Sequence, residues 1–556
     1  MNLFKEVIRK NKKMILFYVF LGILINFLEL YTVTYYQKIL DAFQYKTLSI
    51  SLIIIYGILL IIKVIFGYIE NYPEQQVYNK LYLDLKLQAL KKMKTIDYLE
   101  YQKIGTGKLT EKIEVGSFSG RDIIYYFWLK IFRYLLPTAI FSLIFIFRVK
   151  KELILFVLTG YIIVIVISNI ILKKLYKLKE NILINQEQLN KHLIRGFMEL
   201  VVFRTNKKYD TEIALTENGI KNIVNGKTKI KLVHEMFFTI FSLIVNILKV
   251  ILLGYAVLKS NLSVGAVVTV LSLLSKSYEP IAIFNVELVD YKLNKIAFKR
   301  YLDFLNIKDD ININKGIKLK HITGNITFKN VSFSYENKQV INNLSFSIKN
   351  NTLVALVGSS GSGKSTIIKL LLGLIKYNKG SILIDNKELK KINLNSLYNN
   401  ITYLSQEVPI FDGTLRENIV FDKKVSDTLL EEVLKLVCLD KFYEKLDTEL
   451  GEKGIKCSGG ERQKIALARL FFDSSKIIIL DEATSAIDNI SEKIVMKNVT
   501  KKLKDKTIII ITHKLEMLKE VDNILVLKEG NIYEQGNYKE LLSKNDYFTK
   551  LYKAKK

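Results

Sequence analysis

The chain has 556 residues, 49% of them hydrophobic, yet 83 are Lys or Arg against 54 Asp or Glu, a formal charge of +29. That length implies several domains, and an apolar chain this basic reads as a membrane portion joined to soluble parts. Nucleic acid is set aside as the partner, because much of the lysine lies beside apolar segments, where it fits cytoplasmic loops. Two cysteines, Cys438 and Cys457, and four scattered histidines argue against a disulfide framework and against a zinc site.

Residues 1–13 are polar and basic, and the apolar stretch 14–36 lacks a small-residue cleavage signal, so it reads as a retained membrane helix and not a signal peptide. Five more apolar stretches follow, at 48–69, 127–147, 153–172, 236–258 and 262–285. Each supplies the ~20 residues that cross a hydrocarbon core. Lys5, Arg9, Lys10, Lys12 and Lys13 place the N-terminus in the cytoplasm. With six spans, the long basic segments 70–126 and 173–235 and everything after 285 fall on the same side. Arg148, Lys150 and Lys151 oppose this bias locally.

The spacing of Val77, Leu81, Asp84, Leu85 and Gln88 carries helical pattern beyond the bilayer. Twenty extra helical residues would reach about 30 Å. Breaks at Tyr98–Gly107 and Arg195–Asn206 are elbows, either touching a soluble domain or facing solvent as connectors. Glu29, Lys63, Lys130, Arg133 and Glu279 lie in or near apolar runs. Charge within a membrane faces a cavity or a partner. Glu29 and Lys63 are expected to pair or to line a pathway, and Lys130 and Arg133 to snorkel.

The sixth helix is expected to extend to Leu305. Residues 306–321 read as a linker, in which the alternation of Ile311, Ile313, Ile317 and Leu319 begins a strand. From 322 onward the pattern is α/β, with strands at Ile326–Phe333, Leu344–Ile348, Leu353–Val357, Gly380–Ile384, Ile477–Leu480, Thr507–Thr512 and Ile524–Lys528.

The most informative stretch is Gly358-Ser359-Ser360-Gly361-Ser362-Gly363-Lys364-Ser365-Thr366, between an apolar strand and a helix. Its glycines let the backbone turn tightly and aim N–H groups at phosphates, which also meet the helix N-terminus. Lys364 supplies a charge for the β and γ phosphates, and Ser365 a hydroxyl for Mg²⁺. A second apolar strand ends in Asp481-Glu482. There Asp481 would hold Mg²⁺, and Glu482 would polarise the water attacking the γ phosphate.

Taken together, the chain resembles an ABC exporter half-transporter over almost its entire length. That resemblance implies a multidomain membrane protein: a six-helix all-α transmembrane domain at 1–305 with long cytoplasmic helical extensions, the linker 306–321, and an α/β P-loop ATPase domain at 322–556. It implies that Tyr335, in Phe333-Ser334-Tyr335, stacks on adenine. Gln406 takes the place of the Q-loop glutamine, which senses Mg²⁺ and communicates with the membrane helices. Thr448-Glu449-Leu450-Gly451-Glu452-Lys453-Gly454 resembles the exporter loop before the signature. In Cys457-Ser458-Gly459-Gly460-Glu461, at the signature position, Ser458 and Gly460 would hold the γ phosphate bound by an opposite subunit. Ser485-Ala486-Ile487-Asp488 resembles the D-loop, which places Asp488 at that interface. His513 resembles the switch histidine on the γ phosphate, and the two elbows resemble coupling helices. Cys457 and Glu461 stand where the family has leucine and glutamine.

The expected function is ATP-hydrolysis-driven export of a drug, lipid or peptide by alternating access, with ATP and Mg²⁺ as cofactors. The expected partners are a second half-transporter, identical or not, the lipid bilayer and a hydrophobic or amphipathic substrate, and no nucleic acid. The expected location is a bacterial plasma membrane, with the N-terminus and ATPase domain in the cytoplasm. One alternative is the regulatory half of a heterodimer with weak hydrolysis of its own. A soluble ABC ATPase working on DNA or translation is the other, and six spans weigh against it.

Overall fold

The computed structural model describes every residue except Met1, Gly105, Glu199, Ser260, Asn261, Asn337, Glu444, Glu452, Lys453, His513, Asn545, Lys555 and Lys556. The side chains of residues 2–5, 106–108, 167–174, 183, 187, 198, 257–259, 515–516 and 554 are also outside the description. The expected switch histidine, His513, thus lies outside the described residues, as do Glu452 and Lys453 of the loop before the signature. So do Gly105 and Glu199, one in each elbow. The chain divides into two compact units, Met1–Lys94 with Ile104–Ile307, and Thr95–Lys103 with Lys308–Lys556.

The first unit is helical: α1 (Asn2–Gln44), α2 (Ile50–Met93), α3 (Tyr98–Ile104, mostly in the second unit), α4 (Thr106–Asp122), α5 (Leu136–Val149), α6 (Leu153–Met198), α7 (Leu200–Thr205), α8 (Tyr209–Lys259) and α9 (Val264–Leu305). Among the described residues, five helical stretches are long and apolar enough to cross a membrane: Glu6–Gln44, Ile50–Met93, Leu109–Val149, Tyr209–Ala256 and Val264–Leu305. A shorter apolar stretch, Leu153–Val166, begins α6. The helices run on past any bilayer, to 44 residues in α2 and 51 in α8. In α2 the repeat read from the sequence forms the seam, with Val77, Leu81 and Leu85 buried. Its upper part instead exposes Ile53, Ile54, Ile58 and Ile61, as lipid-facing positions do. Helix α1 starts well before residue 14, and Asn11 Nδ2 donates to Asp84 of α2 at 2.9 Å.

The third span departs from α-helical geometry. Between α4 and α5 the backbone winds as a π-helix over Ile123–Leu129 and again over Ile131–Leu135. Such wide turns occur mostly as short insertions, frequently at functional sites. Pro137 follows directly and has no N–H for the carbonyl four residues back. That carbonyl, Arg133 O, accepts from Asn26 Nδ2 at 3.0 Å, and Thr138 Oγ1 donates to Asn26 Oδ1 at 3.0 Å. The π turns aim three polar side chains of one helix at carboxylates on two others. Lys130 bonds Glu287 at 2.7 Å, Tyr134 bonds Glu279 at 2.8 Å, and Arg133 pairs with buried Glu70. Lys130 and Arg133 therefore do not snorkel. A carboxylate within reach offsets the cost of a charge in an apolar setting better than a stretched side chain does.

The second unit carries two sheets. A four-stranded antiparallel sheet has the order β2 (Lys338–Ile348), β1 (Ile326–Tyr335), β4 (Lys379–Ile384), β5 (Lys387–Glu388). A six-stranded sheet has the order β10 (Asn531–Gly536), β9 (Asn523–Lys528), β3 (Leu353–Gly358), β8 (Thr507–Ile511), β7 (Ile477–Asp481), β6 (Ile401–Leu404). It is parallel except at its β10 edge. The near-continuous Ile/Val/Leu runs of β3, β7 and β8 suit strands covered on both faces. No strand forms over residues 311–319. Ile311–Ile313 is instead a short 3₁₀ turn, capped by the Asp310 carboxylate accepting from Asn312 N–H, and Ile317 makes a single parallel bridge to Ile392.

The first elbow belongs to this unit. Ile96 forms an antiparallel bridge with Asp309, Asp97 N–H donates to Lys308 O, and Asp310 N–H donates to Thr95 O. Tyr98 and Leu99 pack on the core that holds β1, β2 and β4, and Lys369 lies 6.0 Å from the Tyr98 ring centre.

Candidate nucleotide site

The site is built at the carboxyl ends of β3, β7 and β6, where parallel α/β sheets place their ligands. Strand β3 delivers Gly358. A Cβ there would lie 2.5 Å from Leu527 O and 2.7 Å from Ser362 Oγ, so only glycine allows the loop to fold this closely. Gly363 ends the loop at φ 106°, a left-handed conformation that favours glycine, and the helix Lys364–Leu371 begins at the next residue. Lys364 is nearly buried and curls over the loop, donating from Nζ to Gly358 O at 3.0 Å and Ser359 O at 2.9 Å.

Ser362 Oγ is buried with no hydrogen-bond partner among the described residues. Buried hydroxyls are nearly always bonded, so this one is a candidate donor to a ligand oxygen. Ser365 is exposed and Thr366 buried at the head of the helix. The Ser362→Ala chain is therefore expected to melt at an unchanged or slightly higher temperature without nucleotide, since no bond is lost. Its ATP-induced rise in Tm is expected to be smaller than that of the native chain. Thermal unfolding of the two proteins with and without ATP checks both.

Two strands from β3, β7 ends in Asp481. Its Oδ2 accepts from Tyr403 Oη at 3.2 Å. Burial pushes the Asp481 carboxyl up, helped by neighbouring Glu482, against Tyr403, Lys364 and Lys369, which lower it. A divalent cation would reverse that balance. The next residue, Glu482, sits at φ 51°, which only glycine adopts easily. Its N–H donates to Ile511 O at 3.0 Å. Gln406, after β6, donates from Nε2 to Glu482 Oε2 at 3.0 Å. Loop, strand-end carboxylates and Gln406 thus share one edge of the sheet. The Ser365 hydroxyl, the Asp481 carboxylate and the Gln406 amide are oxygen donors of the kind that Mg²⁺ takes beside phosphates.

Other expected residues lie elsewhere. Tyr335 stands at the end of β1, edge-on to Phe333 at 4.7 Å. Ser458 caps the helix Gly459–Arg469. A Cβ on Gly460 would lie 2.8 Å from Ala486 O. Gln463 Nε2 donates to Ser485 Oγ at 3.0 Å, and Ala486 N–H donates to Gln463 Oε1 at 2.8 Å, so the signature helix is tied to the 485–488 turn. Asp488 caps the following helix, accepting from Ser491 N–H at 2.9 Å.

The two departures in the signature are built into the fold. Cys457 is buried in the core beneath it, and burial pushes its thiol up, away from the reactive thiolate. Glu461 completes a capping box, accepting from Ser458 N–H at 2.7 Å while Ser458 Oγ accepts from Glu461 N–H. It also pairs with Lys441. The sequence announces this box as Ser-x-x-Glu ahead of a helix, a local signal independent of the family pattern. Despite burial, the Lys441 and Ser458 bonds hold the Glu461 carboxyl below its usual range. Its contribution is thus complete above the unfolded value near 4.3 and is lost as pH falls through the lower folded value. Glu461→Ala is expected to cost about 1 kcal/mol, and Glu461→Gln less, because an amide still caps. Thermal unfolding at neutral pH ranks the three chains.

A phosphate loop and an acidic strand end, with one strand between them at the carboxyl end of one mostly parallel sheet, define a P-loop nucleoside triphosphatase fold, here on the same chain as several membrane-length helices. Residues 341–485 match the family described as ABC transporter. The ATP-dependent lipid A-core flippase of Wigglesworthia glossinidia brevipalpis is 29% identical over 507 residues, 88% of this chain and 85% of that one. The ATP-dependent lipid A-core flippase 2 of Colwellia psychrerythraea is 40% identical over 268 residues, 47% of this chain and 46% of that one. A solved bacterial Atm1-family ABC exporter with ATP bound superposes with a TM-score of 0.83 at 23% identity, covering 99% of this chain and 98% of that one. The matched residues carry the phosphate loop and the acidic strand end, on a chain that also has membrane-length helices and is similar over most of its length to the Wigglesworthia flippase.

Proposed function

We propose that the chain works as a dimer in which two cassettes enclose two MgATP molecules, each held by the phosphate loop of one copy and the signature turn of the other. The observation that carries this reading is the separation of the half-sites within one cassette. The phosphate loop is flanked by Leu527, Gly530 and Ile341, whereas the signature turn is flanked by Ala486 and Ile487. Strands β8 and β7 stand between the two cores they belong to.

In this reading Lys364 and the loop amides hold the phosphates, and Tyr335 stacks on adenine. Ser365, Asp481 and Gln406 hold Mg²⁺, which neutralises phosphate charge when bound. Glu482, oriented by Gln406, accepts the proton of the attacking water, and His513 contacts the γ phosphate. Ser458, Gly459 and Gly460 complete the second copy's site, with Asp488 at the interface. Closure of the sandwich shifts the membrane helices from inward-open to outward-open, and hydrolysis resets them.

In this reading the membrane domain has six spans, formed by the five membrane-length stretches together with the shorter apolar start of α6 as the fourth. The basic N-terminal residues favour a cytoplasmic N-terminus and cassette, in a bacterial plasma membrane, with residues 1–305 as the membrane domain, 306–321 the linker and 322–556 the cassette. The names of the relatives favour a lipid-like amphiphile as cargo over a drug or peptide. The dimer is tested by joining Ser360→Cys and Ser458→Cys in a chain whose native cysteines are replaced by alanine. ATP is expected to give disulfide-linked dimers in the Glu482→Gln background. Monomers alone, with ATP bound, would overturn the reading.

A further inference from the structure

Side chains from four helices meet inside the helical unit. Lys276 Nζ of α9 lies 3.0 Å from Glu29 Oε1 of α1. Lys63 Nζ of α2 lies 4.0 Å from the other oxygen of Glu29. Lys276 is also 3.6 Å from Glu279, which accepts from Tyr134 Oη of the π-helical stretch at 2.8 Å. Counting from the helix ends at Gln44, Ile50 and Val264, each helix reaches this point after about 12 to 15 residues, about 20 Å. That depth is well inside a hydrocarbon core of about 30 Å.

Two features separate this cluster from a structural ion pair. It is open, with the four charged side chains between 30% and 40% exposed. By contrast Arg133, one residue from Tyr134, is locked to Glu70, whose side chain is 8% exposed. It is also loosely made, since two of its three ion pairs are at 3.6 and 4.0 Å. Charges at membrane depth do not face lipid tails; they face a water-filled cavity or a partner. An open, loose cluster can exchange a protein partner for a ligand group at little cost, whereas a closed pair cannot.

The sign of the cluster selects the ligand. Two lysines and two glutamates sum to zero. A head group of one sign would satisfy one side chain and strip another of its partner, leaving an uncompensated charge in a poorly solvated place. A head group with both signs replaces each broken pair with a new one. We propose that Glu29, Lys63, Lys276, Glu279 and Tyr134 form the head-group site for the exported molecule, and that the site takes a zwitterionic amphiphile bearing an ammonium and a phosphate. The proposal rests on the exporter reading and adds to it the chemical class of the cargo.

Trp128 is the chain's single tryptophan and lies on the same span, stacked on Phe132 at 6.2 Å. Its emission reports a local change on that span, and radiolabelled amphiphile retained by the bead-bound chain reports binding itself, both without nucleotide. The full chain in maltoside micelles is titrated with three amphiphiles of one tail: dodecylphosphoethanolamine, dodecyl phosphate and dodecylammonium. The zwitterion is expected to bind at least about fivefold more tightly than either other. Glu29→Gln is expected to shift preference toward the phosphate, and Lys276→Gln toward the ammonium. Equal binding of all three by the native chain, or preferences that stay fixed in both variants, would overturn the proposal. ATP turnover of the same native preparation without amphiphile tests the exporter reading separately. Turnover without head-group selectivity defeats only the site, and absent turnover defeats the reading beneath it.

Discussion

Replacing Glu482 with glutamine is expected to slow ATP turnover by about three orders of magnitude while leaving ATP binding intact. Glu482 follows a buried strand, is held at φ 51°, and receives a 3.0 Å hydrogen bond from Gln406. A non-glycine residue in that conformation is unfavourable and persists where its surroundings enforce it. Here the enforcement is the bond from Glu482 N–H to Ile511 O together with burial of Asp481 beside it. Glutamine keeps the size and the hydrogen bond but cannot accept the proton of an attacking water. Turnover and nucleotide binding, measured on the same purified chain, separate the two effects, and full turnover would remove Glu482 from its role.

Lys364→Ala is expected to weaken ATP binding by about 10- to 100-fold, the worth of a charge-assisted hydrogen bond. Without nucleotide the Lys364 ammonium is already engaged with Gly358 O and Ser359 O. The side chain is thus poised over the loop and needs only to exchange carbonyls for phosphate oxygens. Lys364→Arg is not expected to rescue, because a planar guanidinium does not fit a position closed around a point charge. Titration with a fluorescent ATP analogue gives the affinities, and native affinity in Lys364→Ala would exclude the proposed phosphate contact.

Much of this architecture was legible in the residue pattern. The seam of α2 followed from Val77, Leu81 and Leu85, and the order strand, glycine loop, helix followed from 353–372. The two elbows followed from breaks in helical pattern. What escaped was non-local or lacked a pattern. No periodicity distinguishes the π turns at 123–135 from α-helix. They coincide with Pro137 and with non-local partners, the Asn26 contact from another helix and the carboxylates that Lys130, Arg133 and Tyr134 reach. The alternation of Ile311, Ile313 and Ile317 suggested a strand, but the Asp310 side chain captured Asn312 N–H and turned the backbone instead. Short edge strands such as β10, with its mixed polar sequence, were hidden for lack of an apolar run.

The interleaving of Thr95–Lys103 with Lys308–Lys556 bears on how the protein is made. A ribosome releases residues 95–103 some 200 residues before the strand of chain around Lys308 that they pair with. Throughout that interval Tyr98 and Leu99 have no cassette core to cover them, so the elbow must wait unpaired while the remaining helices of the first unit are made. The cassette in turn finishes folding only when a segment synthesised long before is still within reach. A cassette produced by itself from residue 308 would lack this piece, leaving the core surface beneath Tyr98 and Leu99 bare and prone to self-association. Biogenesis, and not only transport, therefore depends on that early segment.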